Sequence, residues 1–245
     1  LYKNYIKIIY IYMNVAVCLY GLHPKYCWKK KKKKQDTTHK FWKKNVFDKS
    51  YPVDVFLHSW SNEDKELLIN EYNPKKYIIE KQKSFESFVI NDETKIDESY
   101  NLKYNEIMYS AKYSMKKSIE LMYEYEINNN IKYDFVLLAR MDILWLVKLD
   151  FEKLDKNNFY VPIWGKNNMQ SIHTNGVLGT FFLSNSENIY KFRKLYDNLP
   201  FFFENNNSIH VIEKLMIDTI TDKIVYKFND CDSENQECDK QRDLL

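Results

Sequence analysis

The sequence predicts an α/β fold, a single domain with a mostly parallel central sheet flanked by helices. Three observations carry that expectation. Short runs rich in β-branched and aromatic residues alternate with longer helical patterns, the order expected when helices cross over between parallel strands. Two of the runs, VAVCLY at 15–20 and FVLLA at 135–139, are apolar throughout, as strands buried on both faces are. The chain has 245 residues, 44% of them hydrophobic and 16% aromatic, which supports a large core and is too apolar for general disorder.

Taken in order, residues 15–20 form a first strand closed by Gly21, and a polar, Lys-rich stretch leads to a helix over about 38–47. In the second strand Val53, Val55 and Leu57 alternate with Asp54, Phe56 and His58 before Ser59 and Trp60. Asn62 reads as the N-cap of a helix through 71, which Pro74 ends. Residues 76–80 form a short third strand, and 85–99 are acidic and irregular. From 104 to about 126, Met108, Ala111, Met115, Ile119 and Met122 recur at steps of three and four, so a long helix packs its methionines into the core. Three asparagines at 128–130 stop it. A fourth strand lies in YDFVLLARMDILW at 133–145, a fifth at 159–163, and a sixth at 177–183 flanked by Gly176 and Gly179. Helices over 187–198 and about 209–221 precede a last strand at 223–228, and the acidic tail from 229 to 245 is expected to be disordered. The folded domain therefore covers 13–228. Residues 1–12 read as an extension or as preceding the natural start, because Met13 stands just ahead of the first strand and Lys3, Asn4 and Lys7 break any membrane-length apolar stretch.

Only three of the 37 basic residues are Arg and only four residues are Gly, so Arg140 and Gly21 answer needs that the abundant Lys and Asn do not meet. The first 50 residues carry a local balance of +11 within a net +3, leaving the remainder acidic. Lys29 to Lys34 form an unbroken basic run, read as a solvated loop or as a peripheral contact with an anionic membrane. No specific nucleic acid is expected as a partner, though a basic module binding nucleic acid or a membrane surface is the alternative function. Cys18, Cys27, Cys231 and Cys238 make no zinc-like pairs, and a reduced, cytoplasmic setting follows.

Ligands of open α/β sheets sit beyond the carboxyl ends of the strands, which selects the residues that follow each strand. Gly21 allows a base or phosphate to approach the backbone, or else makes a simple turn. His58, Ser59 and Trp60 follow strand two, where His58 and Trp60 either hold a base and ribose or form a satisfied His beside a core Trp. Arg140 and Asp142 end strand four, as a cation for a diphosphate with a hard oxygen ligand for Mn²⁺ or Mg²⁺, or as an ion pair capping the sheet. His173 and Asn175 are further candidates before strand six. There is no Ser-His-Asp, Cys-His or P-loop constellation.

The segments VAVCLYG, VDVFLHSW, IEKQ, MYSAKYSMKKSIELMYEYE, YDFVLLARMDILW and FYVPIW, spread over 14–220, together resemble the GT-A-fold (Rossmann-like) glycosyltransferase-like proteins of large viruses and bacterial surface-polysaccharide clusters. The resemblance implies a nucleotide-sugar donor, Mn²⁺ or Mg²⁺, and sugar transfer to a glycan or glycoconjugate acceptor. Within it Arg-Met-Asp at 140–142 looks like the metal-binding motif, with Asp142 as the metal ligand. Relatives carry an acid ahead of an aromatic pair in the later strand, where this chain has Gly179 and Thr180 before Phe181 and Phe182. Glu213 and Asp218, on the helix that follows, are the candidates for a catalytic carboxylate.

Overall fold

The computed structural model describes residues 13–24, 38–47, 51–85, 98–162, 176–177, 179–205 and 209–227. They form a mixed α/β fold with a seven-stranded, mostly parallel central sheet and helices on both faces. In chain order the elements are β1 (Val15–Gly21), α1 (Thr38–Asn45), β2 (Val53–Ser59), α2 (Lys65–Tyr72), β3 (Lys76–Ile79), α3 (Glu98–Asn129), β4 (Phe135–Arg140), β5 (Phe159–Pro162), β6 (Phe181–Ser184), α4 (Ser186–Phe192), α5 (Leu195–Asn205), α6 (Ile209–Asp218) and β7 (Ile224–Lys227). The sheet order is β3-β2-β1-β4-β6-β5-β7. β6 runs against both its neighbours, and the other strands run one way.

Alternation along the strands builds two cores. Val15, Val17, Leu19, Val55, Leu57, Leu137 and Ala139 pack on one face with Trp42 of α1 and Leu68 of α2. Ala16, Cys18, Tyr20, Phe56, Val136 and Leu138 pack on the other against α3 and the α4 to α6 group. Both faces are covered, which is why β1 and β4 carry no polar alternation. The register pairs Tyr20 with His58 on one side and with Arg140 on the other, so all three share the α3 face at the carboxyl end of the sheet.

Several boundaries differ from the sequence expectation. Asn62 does not cap a helix: residues Asn62–Asp64 form a 3₁₀ turn, and α2 starts behind it at Lys65. α3 begins at Glu98, six residues ahead of the apolar periodicity. The strand expected at 177–183 starts only at Phe181, because residues 179–180 turn, and the helix expected over 187–198 is two, broken after Phe192. Asn73 and Asn130 end α2 and α3 in the left-handed region at φ 43° and 50°. The basic run at 29–34, His173, Asn175, and the segments 1–12 and 229–245 lie outside the described residues. Among the described residues no helix is long and apolar enough to cross a membrane.

Candidate functional site

A cleft of about 580 Å³ opens at the carboxyl ends of β1 and β4. Tyr20, Gly21 and Leu22 line it from β1, Trp60 from beyond β2, Arg140 and Asp142 from β4, and Gly179 and Thr180 from the turn before β6. α3 supplies Ile107, Met108 and Lys112, and the first turns of α6 supply Ile209, His210 and Glu213. The reversed direction of β6 explains the Gly179–Thr180 contribution: its leading turn lies beside the end of β4, where the Arg140 amide donates to the Thr180 carbonyl at 3.2 Å.

Arg140 and Asp142 meet as a fork. Arg140 Nε donates to Asp142 Oδ1 at 2.9 Å and Nη2 to Oδ2 at 2.5 Å, so both carboxylate oxygens are engaged. The strand stops at Arg140 and residues 141–142 turn, which brings the two side chains onto one rim. Arg140 is 48% exposed and Asp142 15%.

Gly21 adopts φ +105°, a conformation that L side chains avoid, and nothing lies within 4 Å of where a Cβ would stand. Its peptide is held from both sides. The amide donates to Ser114 Oγ on α3 at 2.9 Å, and the carbonyl accepts from Ser59 Oγ at 3.0 Å.

His58 and Ser59 are fully buried and lie outside the cleft lining, so neither side chain reaches a ligand there. The physical reason is α3, which covers the end of β2. His58 Nδ1 lies 2.7 Å from Ser114 Oγ and Nε2 lies 3.2 Å from Glu80 Oε1, with Trp60 edge-on at 4.7 Å. Burial lowers its pKa to about 4 against the hydrogen bond and charge of Glu80, so the ring is neutral at pH 7. A neutral ring with a carboxylate at Nε2 carries its proton there and accepts the Ser114 hydroxyl at Nδ1. The chain Glu80, His58, Ser114, Gly21 therefore runs unbroken from the surface to the cleft. Trp60 does line the cleft, stacked on Tyr113 at 5.5 Å, and its Nε1 has no hydrogen-bond partner among the described residues.

At the back of the cleft Lys112 of α3 pairs with Glu213 Oε1 of α6, the two side chains 5% and 1% exposed. Glu213 Oε2 has no hydrogen-bond partner among the described residues. Gly179 makes room for this carboxylate, since a Cβ at 179 would collide with both of its oxygens. Burial pushes the phenol of Tyr20 well above its ordinary range, and the charge of Glu213 adds to that. Its hydroxyl donates to the Gly179 carbonyl at 3.4 Å. Asp218 is not brought to the site: it lies outside the lining, 45% exposed, in a pair with Lys214 one turn away on α6.

Sequence reasoning missed Lys112, Ser114, Tyr20 and Thr180. Lys112 and Ser114 did leave a signal, because they interrupt the inward stripe of α3 between Ala111 and Met115. Among the described residues no group of three His, Cys, Asp or Glu side chains could hold a metal ion. A small dication that takes phosphate oxygens and water needs only one or two carboxylates, and Asp142 fits that role once its oxygens are released by Arg140.

No protein-family model matches the sequence, and no curated protein matches it. Among solved structures the chain is similar to the nucleoside-diphosphate-sugar pyrophosphorylase from Vibrio cholerae RC9, at 9% identity over 86% of this chain and 90% of that chain, with a TM-score of 0.41. A likeness at that level says nothing of this chain's activity.

Proposed function

We propose that the chain is a glycosyltransferase that moves a sugar from a nucleotide-sugar donor to a glycan or glycoconjugate acceptor with the help of Mn²⁺ or Mg²⁺. The observation that carries the reading is the shared cleft: an open glycine backbone, the edge of the buried Trp60 cluster, an Arg–Asp pair and a buried carboxylate meet at the carboxyl ends of the strands.

In this reading the base and ribose lie along Gly21 and Trp60, and Arg140 turns to the diphosphate. Asp142 and phosphate oxygens would hold the dication, which when bound supplies charge neutralisation for the leaving diphosphate. The bond between the sugar's anomeric carbon and the phosphate oxygen breaks, and the electron pair stays with the diphosphate. Arg140 stabilises that developing charge. An acceptor hydroxyl bonds to the same carbon and releases its proton. On an inverting course Glu213 takes it at Oε2, while Lys112 holds Oε1. Asp218, away from the cleft, has no part in this scheme.

A second reading has one observation in its favour: both candidate acids are already paired, Asp142 with Arg140 and Glu213 with Lys112. A nucleotide-binding relative without turnover would look the same. Nucleoside diphosphates and their sugar conjugates, screened by thermal shift with and without Mn²⁺ and then for donor hydrolysis, separate the two. The transferase reading expects a Mn²⁺-dependent shift, hydrolysis of at least one donor, and loss of the Mn²⁺ dependence in Asp142→Ala. A shift without hydrolysis of any donor or transfer to any acceptor supports the second reading, and no shift with any nucleotide ends both.

A further inference from the structure

The Lys112–Glu213 pair at the back of the cleft is not closed on itself. Glu213 Oε1 is the single hydrogen-bond acceptor of the Lys112 ammonium among the described residues, and an ammonium carries three N–H donors. Glu213 Oε2 has no hydrogen-bond partner among them either. His210, one turn earlier on α6, does not serve it, since its Nδ1 lies 2.9 Å from the Val177 carbonyl and 3.9 Å from Oε2. Thr180 Oγ1 is a further buried polar atom without a partner among the described residues, and it follows Gly179, the residue that leaves room for both Glu213 oxygens. Lys112, Glu213, Gly179 and Thr180 all line the cleft. We infer that this end of the cleft is a subsite for a vicinal diol, the neighbouring hydroxyls of a sugar ring, with Lys112 and Glu213 each holding one of the two oxygens. The inference rests on the transferase reading and names its acceptor class: a sugar whose reacting hydroxyl has a hydroxyl neighbour.

Buried polar groups are almost always hydrogen-bonded, so open donors and an open acceptor on side chains 5% and 1% exposed mark a place that a ligand completes. That ligand must accept from an ammonium and donate to a carboxylate at adjacent points. A carboxylate or phosphate accepts but does not donate, and it would face Oε2 with like charge. An ammonium donates but cannot accept, and it would stand against Lys112. A secondary amide does both, but its N–H and C=O point to opposite sides of a trans plane and cannot meet neighbouring partners. Two adjacent hydroxyls meet the requirement. One O–H donates to Oε2, the other oxygen accepts a Lys112 N–H, and no net charge enters the buried end. Thr180 Oγ1, which can donate or accept, is left for a third oxygen of the same ring. Ile107 and Met108 of α3 and Ile209 of α6 line the same cleft and offer carbon surface to the C–H face of a sugar. An isolated hydroxyl, such as a Ser or Tyr side chain or the end of a lipid alcohol, serves one partner and leaves the other buried and open, the costlier state.

The test needs no donor. The full chain is titrated with the methyl glycosides of glucose, galactose and mannose, and binding is read from the sugar by saturation-transfer NMR. At least one glycoside should bind. For that sugar, replacing either hydroxyl of one adjacent pair by hydrogen or by an amine should weaken binding roughly 10- to 150-fold, because each change removes a hydrogen bond to a charged group. Removing a hydroxyl elsewhere on the ring should change it less. Lys112→Met with Glu213→Leu, checked for folding by urea denaturation, should lose the binding; if that variant does not fold, the deoxy series decides on the intact protein. Failure of all three glycosides to bind, single-deoxy analogues that all bind as well as their parent, or a folded double variant that binds as well as wild type would each overturn the subsite. Donor hydrolysis by the same preparation separates this from the transferase reading. Hydrolysis of a donor with no glycoside bound overturns the subsite and leaves that reading standing. Glycoside binding in the expected deoxy pattern, with no donor hydrolysed, supports the diol subsite and removes the transferase reading.

Discussion

Gly21 and Gly179 both border the cleft, yet an added methyl group would meet different things at each. At Gly21 it meets open space, and the cost comes only from φ +105°, on the order of 1–2 kcal/mol for a side chain held in that region. At Gly179 the methyl group falls on both oxygens of Glu213, and no φ penalty applies. The carboxylate must leave its place against Lys112, and disturbing a buried ion pair typically costs about 3–5 kcal/mol. Urea denaturation of the two alanine variants should therefore rank Gly179→Ala as clearly the less stable. Equal midpoints would show that Glu213 is not seated against residue 179. The sequence marked both glycines as rare, but only the packing of α6 on the turn before β6 separates a backbone need from a space need.

At the scale of elements, the Lys112–Glu213 pair ties α3 to α6 across the back of the cleft. Its two possible jobs, holding the helices and handling a proton, make different demands. Lys112→Met alone leaves Glu213 as an uncompensated buried charge and should cost about 3–5 kcal/mol. Lys112→Met with Glu213→Leu removes both charges, and stability measured by urea denaturation should return most of the way to wild type. If Glu213 takes the acceptor's proton, that restored double variant still lacks sugar transfer. A double variant that is stable and transfers sugar at the wild-type rate would reduce the pair to a structural tie. The elements themselves were largely legible. Uniform apolar runs gave β1 and β4, alternation gave β2, and a three-and-four stripe gave α3. What local pattern could not give was pairing across 101 residues, as between Lys112 and Glu213, or across 56, as between His58 and Ser114. Boundaries slipped where turns decide them. A Gly-Thr turn delays β6, and α3 extends six residues ahead of its apolar stripe.

For the whole molecule, covering the sheet on both faces fixes what the residues at its carboxyl edge can do. Tyr20, His58 and Arg140 share one register row, yet α3 crosses the β2 end and stops short of closing the β4 end. His58 is thereby sealed while Arg140 stays on the rim, although the sequence offered both as ligand contacts. The sealed histidine gives the molecule a pH dependence. In the unfolded chain its imidazole titrates near the ordinary value of about 6.5, whereas burial lowers the folded value to about 4. Between those values the unfolded state binds a proton that the folded state does not, so folding loses stability as pH falls. The contribution is complete above about pH 6.5, declines through the window and is gone below about pH 4, a loss on the order of 3 kcal/mol. Burial works to raise the Glu80 carboxyl, but its hydrogen bonds from Lys83 and His58 outweigh that and hold it below its ordinary value, so the partner of His58 stays ionised through most of the window. Denaturation midpoints of wild type and His58→Gln, followed from pH 7 to pH 4, should converge as pH falls, because only wild type has this proton to gain on unfolding. Parallel profiles would mean that His58 is solvated in the native state, and the hydrogen-bond chain from Glu80 to the Gly21 amide would then have no support.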